Sequence, residues 1–404
     1  MTKKDSHYLI AAVPYSDNFG DALIHNSLAW KLDNYDISSE ALDIAGRHDF
    51  ERSAQQNAIK DKILKSQFEW VRQLFIPLNS LLVALKNYRN WMNKVKAADV
   101  VLMGGGNLIS DVYLNFPLKL YFLSLFCYSA NTDYAVVYVG VAKRMSGPGR
   151  WLFKRLFAAK QCLYISVRDA ASKDNIEKLF GAQIADKVVV SIDPAVNLNL
   201  SYSEAPKSEL GKQSYAAINI VNPVVLMVNS DNDVSFNEQD YQQWITDCVA
   251  KVKAAGLLPV LYTNGAQEDQ QYMQDIAASL PDATVVSVEQ VEDLVKVVSQ
   301  AQCVFATRLH SAISAFSFSV PFTVMSWDSK VSAFVEAVKL PSSMLFDFSR
   351  EGMQQHSSTI LLADMPALQE QVAAARHKVV NAWDVEFRDM LQRLEQYQAE
   401  SQLS

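Results

Sequence analysis

The chain has 404 residues, half of them hydrophobic, and a formal net charge of −7. That length exceeds the roughly 250 to 300 residues at which a single core divides, so two domains are expected. The acidic balance excludes duplex nucleic acid as a partner and leaves any anionic ligand to a local cluster of cations.

Short β-rich runs alternate with segments of helical length. Strands are expected at 8–13, 99–103, 134–140, 162–167 and 187–192, each a continuous apolar run such as "YAVVYVG". Such runs mark parallel strands covered by helices on both faces. A polar stretch over 199–214 interrupts the pattern, which restarts at 215–221 and continues through 257–262, 283–288, 303–307 and 321–326. The expected domains are an N-terminal Rossmann-like domain over 1–198, a linker over 199–214, a C-terminal Rossmann-like domain over 215–345 and a helical tail over 346–404.

The N-terminus offers only about six apolar residues before Pro14, short of the roughly 7 to 15 of a secretory h-region, so a cytoplasmic address is expected. Cys127, Cys162, Cys248 and Cys303 lie far apart in apolar segments and read as reduced core thiols. The most apolar stretch, 113–130, is interrupted by Pro117 and Lys119 and falls short of the roughly 20 residues that span a bilayer; it reads as a buried helix. A second run over 68–96 is rich in aromatic and basic residues. With the Pro117 helix it has two readings: an internal helical hairpin packed on the first sheet, or an apolar surface that lets the protein lie on a membrane beside a lipid-linked acceptor.

Parallel sheets of this kind bind ligands at the carboxyl ends of their strands. There the sequence places "SDNFGD", "GGGNLISD", "GVAKRMSG", "SVRDAAS", "SIDPA", "TRLHS" and "SWDSK". The three glycines of "GGGN" raise two possibilities. They form a tight turn, or they bare backbone N–H groups at a helix start so that an anion or sugar approaches closely. No GxGxxG and no P-loop lysine accompany them, so the turn does not point to a nucleotide.

Taken together, "NFGDALI" (18–24), "GGGNLISD" (104–111), "SVRDAAS" (166–172), "SIDPA" (191–195) and above all "TRLHSAISAFSFSVPFTVMSWDSKV" (307–331) resemble the motifs of the bacterial polysaccharide pyruvyl transferase family. The resemblance runs from about residue 8 to 335. It implies an α/β, GT-B-like fold of two Rossmann-like domains facing each other across a cleft, with C-terminal helices. It also implies transfer of the enolpyruvyl skeleton of phosphoenolpyruvate to two hydroxyls of a sugar, in an exopolysaccharide, capsule or other cell-surface glycan precursor, with release of phosphate.

The residues fit that chemistry. Phosphoenolpyruvate carries a carboxylate and a phosphate on three carbons, and Arg168, Arg308 and Lys330 follow expected strand ends, with Lys143 and Arg144 as further cations. An ion pair with Asp169 is the plainer reading of Arg168. His310, two residues after Arg308 at a helix start, is the candidate general acid for protonating the enol carbon. Asp21 is the candidate base for the sugar hydroxyl; Asp111 and Asp193 are weaker ones. Asn18, Gly20, Gly105, Gly106 and Asn107 complete the expected substrate contacts. Asp231 and Asp233 resemble an acidic metal motif but read as a helix cap, so neither a metal nor a cofactor is expected. Two alternatives stand beside pyruvyl transfer: a glycosyltransferase using a nucleotide sugar, and a non-catalytic binding protein of a polysaccharide cluster.

Overall fold

The computed structural model describes residues 6–50, 69–203, 213–229, 237–347, 362 and 364–403. The chain forms two compact units. The first contains the chain up to Ser16, Ile24–Pro194 and the chain from Val385 on; the second contains Asp17–Leu23 and Ala195–Asp384.

The first unit is built on six parallel strands: β1 (Ser6–Ala12), β2 (Ile37–Asp43), β3 (Val100–Gly104), β4 (Asp133–Val139), β5 (Cys162–Val167) and β6 (Val188–Val190), in the order β2-β1-β3-β4-β5-β6. Its helices include α1 (Gly20–Asp33), α2 (Glu69–Ala97), α3 (Asn115–Ala130), α4 (Gly147–Ala158) and α5 (Ala170–Phe180). Five of these strands coincide with expected runs. β2, "ISSEALD", does not announce itself because it lies at the sheet edge and alternates buried with solvated residues. Strand side chains such as Leu9, Val101, Val136 and Ile165 pack with Leu120, Leu123, Phe153 and Leu156 from the helices. Burying each contributes roughly 1.5–3 kcal/mol.

Local chemistry sets where helices begin. Ser146 accepts a hydrogen bond from the Gly149 amide at the start of α4, and the Asp169 carboxylate accepts one from the Ser172 amide at the start of α5. Each satisfies an amide that the helix itself leaves unpaired.

The second unit repeats the plan with β7 (Tyr215–Asn219), β8 (Leu258–Tyr262), β9 (Thr284–Val285), β10 (Cys303–Ala306), β11 (Phe322–Ser326) and β12 (Leu345–Asp347), ordered β12-β11-β10-β7-β8-β9. Its helices include α6 (Pro223–Asn229), α7 (Glu238–Ala254), α8 (Gln267–Ala277), α9 (Val291–Ser299), α10 (Leu309–Ser317) and α11 (Ser329–Ala337). This is the Rossmann strand order, with its switch point between β7 and β10. In the first unit the order reverses between β1 and β3.

Two exchanges of chain cross the sequence-based bounds of 1–198 and 215–345. Residues 17–23, which follow β1, belong to the second unit: the Phe19 amide donates to the Asn264 carbonyl at 2.9 Å. The terminal helix α12 (Met365–Leu403) begins in the second unit and ends in the first. There Glu386 accepts hydrogen bonds from the Tyr164 and Ser191 hydroxyls at 2.8 and 2.6 Å, and Gln398 donates to the Asp99 carbonyl. From residue 69 on, the 68–96 run packs against α3, the Pro117 helix, as the hairpin reading expects. It is the single helix α2, Pro77 included, and one of its faces is exposed and apolar.

Candidate functional site

In the second unit the switch point is organised by Asn219, fully buried at the end of β7. Its Oδ1 accepts from the Arg308 amide at 3.0 Å, and its Nδ2 donates to Asn264 at 3.0 Å. The Thr307 hydroxyl donates to the Asn219 carbonyl at 2.8 Å. These bonds hold the β10–α10 turn in place, and with it Arg308 and His310.

Arg308 precedes α10, and its guanidinium grips Asp269 through Nε at 2.7 Å and Nη2 at 2.5 Å. Asp269 is fully buried in the first turn of α8, where its other oxygen accepts from the Asn222 amide at 2.8 Å. Burial pushes the Asp269 carboxyl above the ordinary carboxylate range, while Arg308 and the Asn222 amide pull it back. His310 lies in the first turn of α10, and its Nδ1 packs directly on Gly20, where an added Cβ has no room. Ser314 donates to the His310 carbonyl at 2.6 Å. Gly20 is itself fixed by Asn18, whose Oδ1 accepts from the Gly20 amide at 3.2 Å.

Lys330 follows β11. Its Nζ is 2.7 Å from Asp328 and 4.9 Å from the Trp327 ring centroid, and Trp327 donates its indole N–H to the Thr307 carbonyl at 2.6 Å. The second unit thus gathers Asn18, Gly20, Arg308, His310 and Lys330 around the carboxyl ends of β7, β10 and β11. Asp21 is partly exposed in the first turn of α1.

The first unit assembles a separate cluster. Arg168, at the end of β5, is 7% exposed, with Nε 3.7 Å from Asp169 and Nη1 3.8 Å from Asp193. Both separations are too long for hydrogen bonds, and among the described residues its buried Nε has no hydrogen-bond partner. A Cβ built on Gly140 would lie 2.8 Å from both Arg168 Nη2 and Asn107 Oδ1. Asn107, Gly140 and Arg168, from the ends of three neighbouring strands, therefore meet at one point.

The "GGGN" turn differs from the expected helix start. Gly105 and Gly106 have φ of 81° and 68°, but α3 begins only at Asn115. The Gly105 amide donates to the Val137 carbonyl at 3.0 Å, and the Gly106 carbonyl accepts from the Gly140 amide at 2.8 Å. The glycines lock β3 to β4 and carry Asn107 towards Arg168; no helix dipole acts there. An added Cβ at Gly104 would strike the Val137 carbonyl, and one at Gly105 would come within 2.5 Å of Ile24.

Asp111 binds the Leu114 and Ser146 amides at 2.8 and 2.9 Å and so ties a turn to the start of α4. Lys143 and Arg144 are exposed. Asp231 and Asp233 lie outside the described residues. Asn219, Asn264, Asp269, Trp327 and Gly140 were not legible as site residues. Asp269 reads as a helix N-terminal carboxylate and Trp327 as core; only Asn219, polar inside a buried strand, leaves a trace in the sequence.

Comparison of the sequence with curated proteins returns no match. Two of the solved structures that share the fold are sugar enzymes. UDP-GlcNAc 2-epimerase from Neisseria meningitidis, bound to UDP-GlcNAc, is 12% identical with a TM-score of 0.54, covering 96% of this chain and 99% of that one. The UDP-forming α,α-trehalose-phosphate synthase from Burkholderia vietnamiensis is 10% identical with a TM-score of 0.57, covering 99% of each. They establish two Rossmann-like units of the GT-B type. The family model for polysaccharide pyruvyl transferase matches residues 18–329, from the Asn18 turn to the start of α11, and the chain belongs to that family.

Proposed function

We propose that the second unit binds phosphoenolpyruvate and that the protein transfers its pyruvyl skeleton to two hydroxyls of a sugar, forming a cyclic ketal and releasing phosphate. The observation that carries this reading is the placing of Arg308, His310 and Lys330 at adjoining strand ends, with Arg308 already oriented by Asp269. The Asp269 pairing occupies the Nε and Nη2 side of the guanidinium. The Nη1 side remains for a carboxylate or phosphate, which a rigid fork binds better than a mobile ammonium.

His310 delivers a proton to C3 of the enol, which becomes a methyl group and leaves C2 electron-poor. A sugar hydroxyl attacks C2 and loses its proton to a base, for which Asp21 is the candidate. The C2–O bond to phosphate then breaks, and the second hydroxyl attacks C2 and closes the ketal, its proton passing to the departing phosphate. Arg308 and Lys330 stabilise the departing phosphate, so the chemistry is assigned to side chains without a metal or cofactor. Arg168 and Asn107 in the first unit are assigned to substrate polar groups. The acceptor is a precursor of a surface polysaccharide, in lipid-linked form, met at the inner face of the cytoplasmic membrane.

Phosphoenolpyruvate is expected to raise the melting temperature more than UDP- or GDP-sugars do, because a ligand of the native state stabilises by mass action. Phosphate release on adding lipid-linked glycans tests the reaction itself. A larger shift with a nucleotide sugar, the ligand class named for the epimerase neighbour, overturns the donor assignment.

A further inference from the structure

We propose that the outer face of helices α2, α3 and α4 docks the first unit onto an anionic lipid bilayer. The three helices pack side by side over one face of the sheet. Their rings interlock, with Tyr88 against Phe126 at 5.4 Å and Tyr121 against Trp151 at 6.0 Å between centroids. What they leave outside is apolar. On α2, Leu74, Leu78, Leu81, Leu82, Leu85 and Tyr88 are all exposed, Leu85 by 62%. At about 100° per residue these positions fall within one arc of roughly 120°, and they extend about 21 Å along the axis. Tyr128 on α3 and Trp151 on α4, 69% and 53% exposed, continue the surface with the amphipathic rings suited to a headgroup layer.

Charge identifies the occupant. The protein as a whole is acidic, yet after its first residue, Glu69, helix α2 contains five Lys or Arg and no Asp or Glu, and residues 134–160 contain six and none. Lys86, Arg89, Arg150 and Lys154 are exposed on these same helices. Apolar side chains bordered by cations match a bilayer with anionic headgroups, where each cation near the surface adds to binding. A second copy of the chain fits poorly, because a two-fold interface would set this cationic face against itself. Among the described residues no helix is long and apolar enough to cross a membrane, so the contact is peripheral.

The test is co-sedimentation of the full chain with phosphatidylcholine vesicles, with and without phosphatidylglycerol, at low and high salt. Binding is expected to be at least tenfold stronger with phosphatidylglycerol and to weaken with salt. Leu82→Ser combined with Leu85→Ser should reduce binding about tenfold or more, since about 0.8 kcal/mol is lost per methylene withdrawn from lipid. Lys86→Gln and Arg89→Gln should each reduce it about fivefold. These side chains are exposed, so melting temperatures should hold. Equal binding to both vesicles, binding unaffected by the leucine pair, or a dimer in ultracentrifugation that the leucine pair dissolves would each overturn the proposal. Vesicle binding is read without turnover, so its failure is distinct from failure of the pyruvyl-transfer reading.

Discussion

Arg168 and Arg308 stand at equivalent places, each just beyond the carboxyl end of a buried parallel strand, and the structure treats them differently. Arg308 is pinned by two short bonds to a fully buried carboxylate. Arg168 is equally withdrawn from solvent but stands 3.7 and 3.8 Å from its two carboxylates. One guanidinium is oriented before any ligand arrives. The other is buried in a charged setting that does not saturate it, and burial without good hydrogen bonds is costly. The same residue type at the same kind of position thus supplies a fixed fork in one unit and an adjustable one in the other.

The largest expected effect is on the group beside the fixed fork. His310→Gln should lower kcat by roughly 10²- to 10⁴-fold while leaving the phosphoenolpyruvate-induced melting shift intact, as removal of a general acid does. Gly20→Ala reaches the same ring from the other side. Its methyl would strike the His310 ring, so it should cost stability and, by displacing that ring, also lower kcat of the folded fraction by about tenfold or more. Normal turnover in both variants would remove His310 from catalysis.

The two arginines are compared directly by Arg308→Met and Arg168→Met. Breaking the tight buried pair should cost about 3–5 kcal/mol in denaturant unfolding. The Arg168 substitution gives up only long contacts and should cost about 1–2 kcal/mol, its main effect being lost substrate affinity. Equal costs would erase the distinction drawn between the two sites.

The first unit holds another buried group with little company. His25, on α1, has its Nδ1 without a hydrogen-bond partner among the described residues, and burial lowers its pKa to about 4. Between pH 6.5 and 4 the unfolded chain takes up a proton that the folded chain refuses, so stability should fall as pH drops through that window. The loss is on the order of 3 kcal/mol at most. His25→Gln should flatten this part of the stability profile; an unchanged profile would show that other groups set it.

Smallest is the separation among the glycines. Gly104→Ala meets the β4 backbone and should destabilise by about 1–3 kcal/mol, with activity following the folded fraction. Gly106→Ala should cost about 1–2 kcal/mol for its left-handed backbone and, by shifting Asn107 away from Arg168, lose activity beyond that. Activities that track melting curves in both variants would leave the turn a purely structural element.

Much of this protein is legible from sequence. Continuous apolar runs such as "YAVVYV" identify parallel strands because both faces of the sheet are covered, and the Asn, Gly, Arg, His and Lys residues picked out from the sequence lie at the ends of those strands. The edge strands β2 and β12 escaped, the first because it is half solvated and the second because Leu345, Phe346 and Asp347 form no continuous apolar run. The helix expected after "GGGN" was wrong because those glycines are used for strand-to-strand contact, a demand set by Val137 and Gly140 more than thirty residues away. The sequence alone determined the order of elements and the residue types at the strand ends. Tertiary structure alone decided that Asp269 would hold Arg308, that Gly20 would seat His310 and that α2 would turn its leucines outward. Each depends on contacts between distant parts of the chain, or on where neighbouring helices stop covering a face, and neither is encoded in local spacing.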